Sequence, residues 1–157
     1  GQEEAIIQAL NHSQAPSAVQ CVINPLNSAG AIGYVSEVFN PQAILSECHQ
    51  LDIPILAIRA VQAGALTSSM DRSPHESGFD KSDFDDFKKA QPFRELANNW
   101  GESPARLAHR YALSAKGVSS VILGVKNRIE LKECVEAETD GLLSRSEIQQ
   151  IENCLIN

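Results

Sequence analysis

One stretch constrains the fold of this chain more than any other: Gly117-Val118-Ser119-Ser120-Val121-Ile122-Leu123-Gly124-Val125-Lys126-Asn127-Arg128-Ile129-Glu130-Leu131-Lys132-Glu133-Cys134. Val118 to Leu123 is short, rich in branched apolar residues and bounded by Gly117 and Gly124, the pattern of a buried strand in a parallel sheet. Asn127 is placed to cap a following helix, with Glu130 three residues on, close to a capping box. A strand, a tight glycine turn and a capped helix leave free backbone N–H groups at the carboxyl end of the strand. Unpaired donors and the helix dipole favour an anion there. Lys126 and Arg128 add positive charge to the same rim. Units of this kind also occur in α/β proteins that bind nothing at them, so the local pattern leaves both readings open.

Two more strands are legible upstream. Ser17 to Ile23 is the first, ended by Asn24-Pro25-Leu26-Asn27-Ser28; Ile53 to Val61 is the second, ended by Ala63-Gly64-Ala65. Between them Asn40-Pro41 starts a helix, Asn40 as cap and Pro41 at the first helical position, with Ile44, Leu45, Cys48 and Leu51 at helical spacing. Gln2 to Leu10 reads as an amphipathic helix with acids near its start. Thr67 to Gln91 has little periodicity and reads as one long loop, functional or mobile, with Phe79, Phe84 and Phe87 as its apolar anchors. Pro92 to Trp100 and the run from Ser103-Pro104 to Ala115 are helical, and Ser144 with Glu147 signals a final capped helix.

Two successive strand–helix–strand units imply parallel strands with right-handed crossovers. Three parallel strands leave two open edges, whereas such sheets are normally extended and covered. The expected architecture is therefore α/β: the C-terminal portion of a (β/α)8 barrel, three parallel strands with flanking helices. The rival is a small free-standing three-layer domain.

A chain of 157 residues suffices for one domain with a real core, and a net charge of −7 argues against a nucleic-acid surface. No run is long and apolar enough to span a bilayer. Cys21, Cys48, Cys134 and Cys154 are widely spaced, with no Cys-x-x-Cys pair, so no metal site is expected and the thiols read as buried, in a reducing, cytoplasmic setting. Cys48 beside His49 invites a cysteine-hydrolase reading, but adjacent helical residues point about 100° apart and do not form a nucleophile–base pair. His12, His75 and His109 lack ligand spacing and read as surface residues.

Taken in order, these segments resemble the aldo-keto reductases over nearly the whole chain, from about the fifth helix of that barrel to its end. The resemblance makes residues 1–157 a partial NADP-dependent oxidoreductase domain, with the loop 67–91 inside it. In that family the last strand ends in a glycine turn followed by a basic residue, and a Glu, usually followed by Asn, lies further along the helix. The segment holds the adenosine 2'-phosphate and adenine of NADPH. Gly124, Val125, Lys126 and Glu133 fall in the matching places, and Cys134 stands where Asn is usual. Glu130 lies where many members put an Arg or Gln near the 2'-phosphate. Lys126 beside Arg128 points to NADP, with NAD as the other possibility.

The resemblance gives Gln20 the nicotinamide carboxamide, although a structural Gln with ordered water explains the residue equally well. It puts Ile58, Arg59 and Val61 where the family has an aromatic and Ser-Pro-Leu; Ile58 offers an apolar floor without stacking. Arg59 reaches either the cofactor or substrate, or an ion pair at the barrel rim. The loop 67–91 matches a flap over the pyrophosphate, with Lys81, Lys88 and Lys89 as candidate phosphate contacts.

The family's catalytic Asp, Tyr, Lys and His come from segments before the sixth strand, so no catalytic residue is assigned here. The expectation is the cofactor-binding portion of an enzyme that reduces a small carbonyl compound or oxidises an alcohol. The alternative is a non-catalytic nucleotide-sensing or partner-binding module of the same fold. Self-association through the exposed sheet edges is a further expectation; nucleic-acid and membrane partners are not expected.

Overall fold

Val19–Val22 (β1), Ile55–Ile58 (β2) and Val118–Val121 (β3) form one parallel sheet in the order β1-β2-β3. The structure is a computed structural model that describes residues 3–32 and 41–156. The expected cap at Asn40 lies outside the described residues. Around the sheet lie helices Glu3–Leu10 (α1), Pro41–Gln50 (α2), Lys81–Lys89 (α3), Gln91–Asn99 (α4), Pro104–Ser114 (α5), Arg128–Thr139 (α6) and Arg145–Cys154 (α7), with short 3-10 turns at Gly30–Ile32 and Gln62–Gly64. The parallel α/β arrangement with flanking helices is the expected one.

Strand alternation sets the two faces of the sheet. Val19, Ile55 and Val118 form one row across the strands, and Cys21, Ala57 and Val121 another. Both rows pack with Leu10, Ile44, Leu45, Cys48 and Ala112 from α1, α2 and α5. The intervening row is Gln20, Leu56 and Ser120, on the opposite face, where Gln20 and Ser120 are exposed. A second apolar cluster joins Leu66 to Phe93, Ala97, Leu107, Ala108, Tyr111, Leu143 and Ile151, so α5 belongs to both cores. Tyr111 also donates to Glu152 at 3.1 Å, tying α5 to α7. Burial and that carboxylate push the phenol pKa upward.

Each strand is shorter than the apolar run that announced it. Pairing does continue one residue beyond two strand ends, through Ile23 N–H to the Ile58 carbonyl (3.1 Å) and Ile122 N–H to the Ala57 carbonyl (2.8 Å). Past Ile58 the backbone enters the left-handed region at Arg59 (φ 57°), which ends the ladder.

The stretch 67–91 is not one loop: α3 occupies Lys81–Lys89. The helix escaped the periodicity reading because its buried positions are Asp83 and Asp86, three apart, rather than apolar residues. Phe84 and Phe87 are half-buried, each beneath a guanidinium: Arg72 at 5.5 Å and Arg94 at 3.9 Å. Phe79 is no anchor; it is 66% exposed and pairs with the ring of His75. Cys21, Cys48 and Cys134 are buried free thiols, whereas Cys154 is half-buried and free. Burial, with Cys48 nearby, pushes the Cys21 thiol up to about 11.

Candidate functional site

A cleft of about 440 Å³ opens beyond the carboxyl ends of β2 and β3. One wall is the segment after β2, with Val61, Ala63, Gly64, Thr67, Asp71 and Arg72; the other is the β3–α6 turn and the start of α6, with α5 behind. Val61, Gly124, Val125, Lys126, Glu130 and Glu133 all line it, six of the nine positions nominated from sequence. Gln20, Ile58 and Arg59 do not. Gln20 sits on the open face of the sheet, opposite Leu56, and Ile58 pairs with Val22 at the strand end.

Arg59 takes the ion-pair alternative. Its Nη2 meets Asp83 Oδ1 at 2.9 Å and its Nε donates to Gln62 Oε1 at 2.8 Å. Asp83 also accepts from Arg72 Nη2 at 3.0 Å and from the N–H of Ala31 at 2.9 Å. Gln62, fully buried, donates to Asp86 Oδ2 at 2.8 Å, and the hydroxyl of Ser28 donates to the same carboxylate at 2.5 Å. Arg59, Gln62 and Ala63 all have positive φ (57°, 47° and 50°), a cluster of costly conformations held in place by this network. Gly30 lies against it (φ 54°): a Cβ there would stand 2.0 Å from Asp83 Oδ1 and 2.3 Å from Gln62 Nε2.

Local chemistry governs the β3–α6 turn. Asn127 caps α6 as expected, its Oδ1 accepting from Ile129 N–H (2.9 Å) and Glu130 N–H (3.1 Å). Glu130 folds back, accepting from Lys126 N–H at 2.7 Å and from Asn127 Nδ2 at 2.9 Å. The expectation of free N–H donors at this turn is therefore corrected: those of Lys126, Ile129 and Glu130 are satisfied by side chains of the turn itself. Gly124 needs no special backbone region, and a Cβ there would meet open space. Lys126 forms an ion pair with Asp71 across the cleft mouth. Glu133 accepts the hydroxyl proton of Ser103, the cap of α5.

His109 was expected at the surface and is buried instead, at the back of the cleft. Its Nε2 lies 3.3 Å from the Cys134 sulfur, and its Nδ1 is buried without a partner among the described residues. Burial lowers the imidazole pKa, partly opposed by Glu133, so the ring is neutral near pH 7. No sequence signal marked this pair, because its members are 25 residues apart. Lys81, Lys88 and Lys89 stand away from the cleft on α3; Lys88 pairs with Asp85 and Lys89 with Asp86.

Among the described residues no group of three or more His, Cys, Asp or Glu is placed to hold a metal ion, and no helix is long and apolar enough to cross a membrane. Hydroxyl residues at Thr67, Ser68 and Ser69 beside the apolar side chains of Val61 and Val125 suit the cleft to a polar organic ligand with an apolar part.

The family model described as Aldo/keto reductase family matches residues 3–156. Among solved structures, the chain is similar to a glycerol dehydrogenase from Gluconobacter oxydans, with a TM-score of 0.63 and 19% identity. The match covers 88% of this chain and 42% of that one, so the chain spans less than half the length of this neighbour. That likeness bears on the fold alone. No match is found among curated protein sequences.

Proposed function

This chain belongs to the aldo/keto reductase family, and from that premise we propose that it is the cofactor-binding portion of an NAD(P)H-dependent oxidoreductase acting on a small carbonyl compound or alcohol. One observation carries the reading: Val61, Gly124, Val125, Lys126, Glu130 and Glu133, from two segments far apart in sequence, border a single cleft. Family position nominated Gly124, Val125, Lys126, Glu130 and Glu133 for the adenosine end of the cofactor, and Val61 as a cofactor contact at the end of the strand before.

The cleft fits that end of a dinucleotide on three counts. It is roomy enough for one end of such a molecule. Lys126 and Arg72, each ion-paired with Asp71, are the cations for which a pyrophosphate would compete. The unpartnered Nδ1 of His109 lies in its rear wall, a polar group such as a heteroaromatic base could satisfy after a ring turn. When bound, the nicotinamide supplies or accepts the hydride. Gln20 on the open sheet face is the residue offered to its carboxamide, and Ile58 the apolar floor beneath it.

No group of this chain is assigned the proton transfer. Tyr111 is buried and bonded to Glu152, and Tyr34 lies outside the described residues. Activity accordingly rests on family catalytic positions not assigned to any of these 157 residues, which alone are expected to be inactive. The free thiols fit a cytoplasmic setting, and the outer edges of β1 and β3, which carry no further strand among the described residues, fit self-association when the segment stands alone.

Fluorescence titration of the full-length protein with NADH and NADPH tests the reading, followed by assay on a panel of small alcohols and carbonyls. Glycerol belongs on that panel because the similar structure is a glycerol dehydrogenase. Saturable binding with turnover supports an enzyme, binding without turnover supports the nucleotide-sensing module, and binding of neither nucleotide refutes both.

A further inference from the structure

Resting on the dinucleotide reading above, we infer that Glu130 is a specificity-determining residue that makes the cleft prefer a dinucleotide with a free ribose 2'-hydroxyl, NAD(H), over its 2'-phosphorylated counterpart. The β3–α6 turn is where an added phosphate would gain most, since anions bind helix N-termini through unpaired N–H groups and the dipole. Here three of those donors, the N–H groups of Lys126, Ile129 and Glu130, are already spent. Glu130 Oε2 takes the Lys126 N–H at 2.7 Å, Oε1 takes Asn127 Nδ2 at 2.9 Å, and Asn127 Oδ1 takes the N–H groups of Ile129 and Glu130. A negative group of the chain's own occupies the anion position.

The surrounding charges point the same way. The cleft is lined by three carboxylates, Asp71, Glu130 and Glu133, against two cations, Lys126 and Arg72. Lys126 is held by Asp71, and Arg72 is shared among Asp71, Asp80 and Asp83. His109 adds no charge near pH 7, since burial lowers its pKa. Arg128 is exposed and is not among the lining residues. A phosphate dianion entering here must displace Glu130 from its two donors or lie against its carboxylate. A ribose 2'-hydroxyl meets no such conflict and donates to the same carboxylate. The basic pair Lys126 and Arg128, which pointed to NADP in the sequence, is thus outweighed by an acid four residues from Lys126.

Isothermal titration of the full-length protein with NADH and with NADPH tests this, in the wild type and in Glu130→Gln and Glu130→Ala. The wild type is expected to bind NADH more tightly, and each variant to shift the NADPH/NADH affinity ratio toward NADPH by about tenfold, chiefly through tighter NADPH binding. The wild-type ratio needs no variant to fold. NADPH preferred by the wild type, or a ratio unmoved in both variants, overturns the role of Glu130 while leaving the dinucleotide site intact. Binding of neither nucleotide to any of the three proteins overturns the site itself, and this inference with it.

Discussion

The carboxyl ends of β2 and β3 occupy equivalent places in the fold and are built in opposite ways. After β2 the chain passes through three left-handed residues, Arg59, Gln62 and Ala63, locked by partners distant in sequence: Asp83, Asp86 and Ser28. After β3 the turn is exposed and satisfied by its own neighbours, Asn127 and Glu130. Both ends were nominated from sequence as cofactor contacts. The first spends its charges on holding α3 and the Gly30 turn against the sheet. The second borders a cleft with its side chains at the surface. A charged residue at a strand end is thus a ligand candidate only when no buried opposite charge claims it.

Substitutions that treat the two ends alike sharpen the contrast. Asp83→Ala removes the shared acceptor of Arg59, Arg72 and the Ala31 N–H, and the largest loss is expected here, about 3 kcal/mol by urea unfolding. A change under about 0.5 kcal/mol, the range of ordinary surface substitutions, would mean the network is not a lock.

Gly30→Ala is next, with about 2 kcal/mol lost through left-handed strain and intrusion on Asp83 and Gln62. Gly124→Ala, the same change at the other end, should stay within about 0.5 kcal/mol, as nothing lies within 4 Å of the added carbon. Equal effects at the two glycines would break the comparison. Asn127→Ala removes two cap bonds from α6 and should cost about 1 kcal/mol, read from the same unfolding curves.

The smallest effect concerns pH. Burial holds the His109 pKa below its ordinary 6.5, so the unfolded chain binds the proton first. The contribution of His109 is full above about pH 6.5 and declines as pH falls through that value toward the lowered folded pKa. Urea midpoints from pH 7.5 down to 5.5 should fall less steeply in His109→Asn than in the wild type; identical slopes would show that His109 does not carry this dependence.

What was legible in the sequence follows from how local the signal is. The strands, the caps at Ser103, Asn127 and Ser144, and the parallel order all announce themselves within a few residues. Six residues of the cleft came from family position along that same frame. α3 did not announce itself because its inward positions are carboxylates, which break the apolar period. The fate of Arg59 was equally hidden, since Asp83 lies 24 residues away. Nor did the exposure of Cys134's neighbours predict that its thiol would find the imidazole of His109.

The cleft between the segment after β2 and the start of α6 is the proposed cofactor site. A crystal structure of the full-length protein with NADH tests it most directly. Adenosine density is expected bordered by Val61, Gly124, Val125 and Lys126, with Glu130 facing the ribose. Adenosine density elsewhere, such as in the groove lined by Tyr111, Lys116 and Glu152, would contradict it.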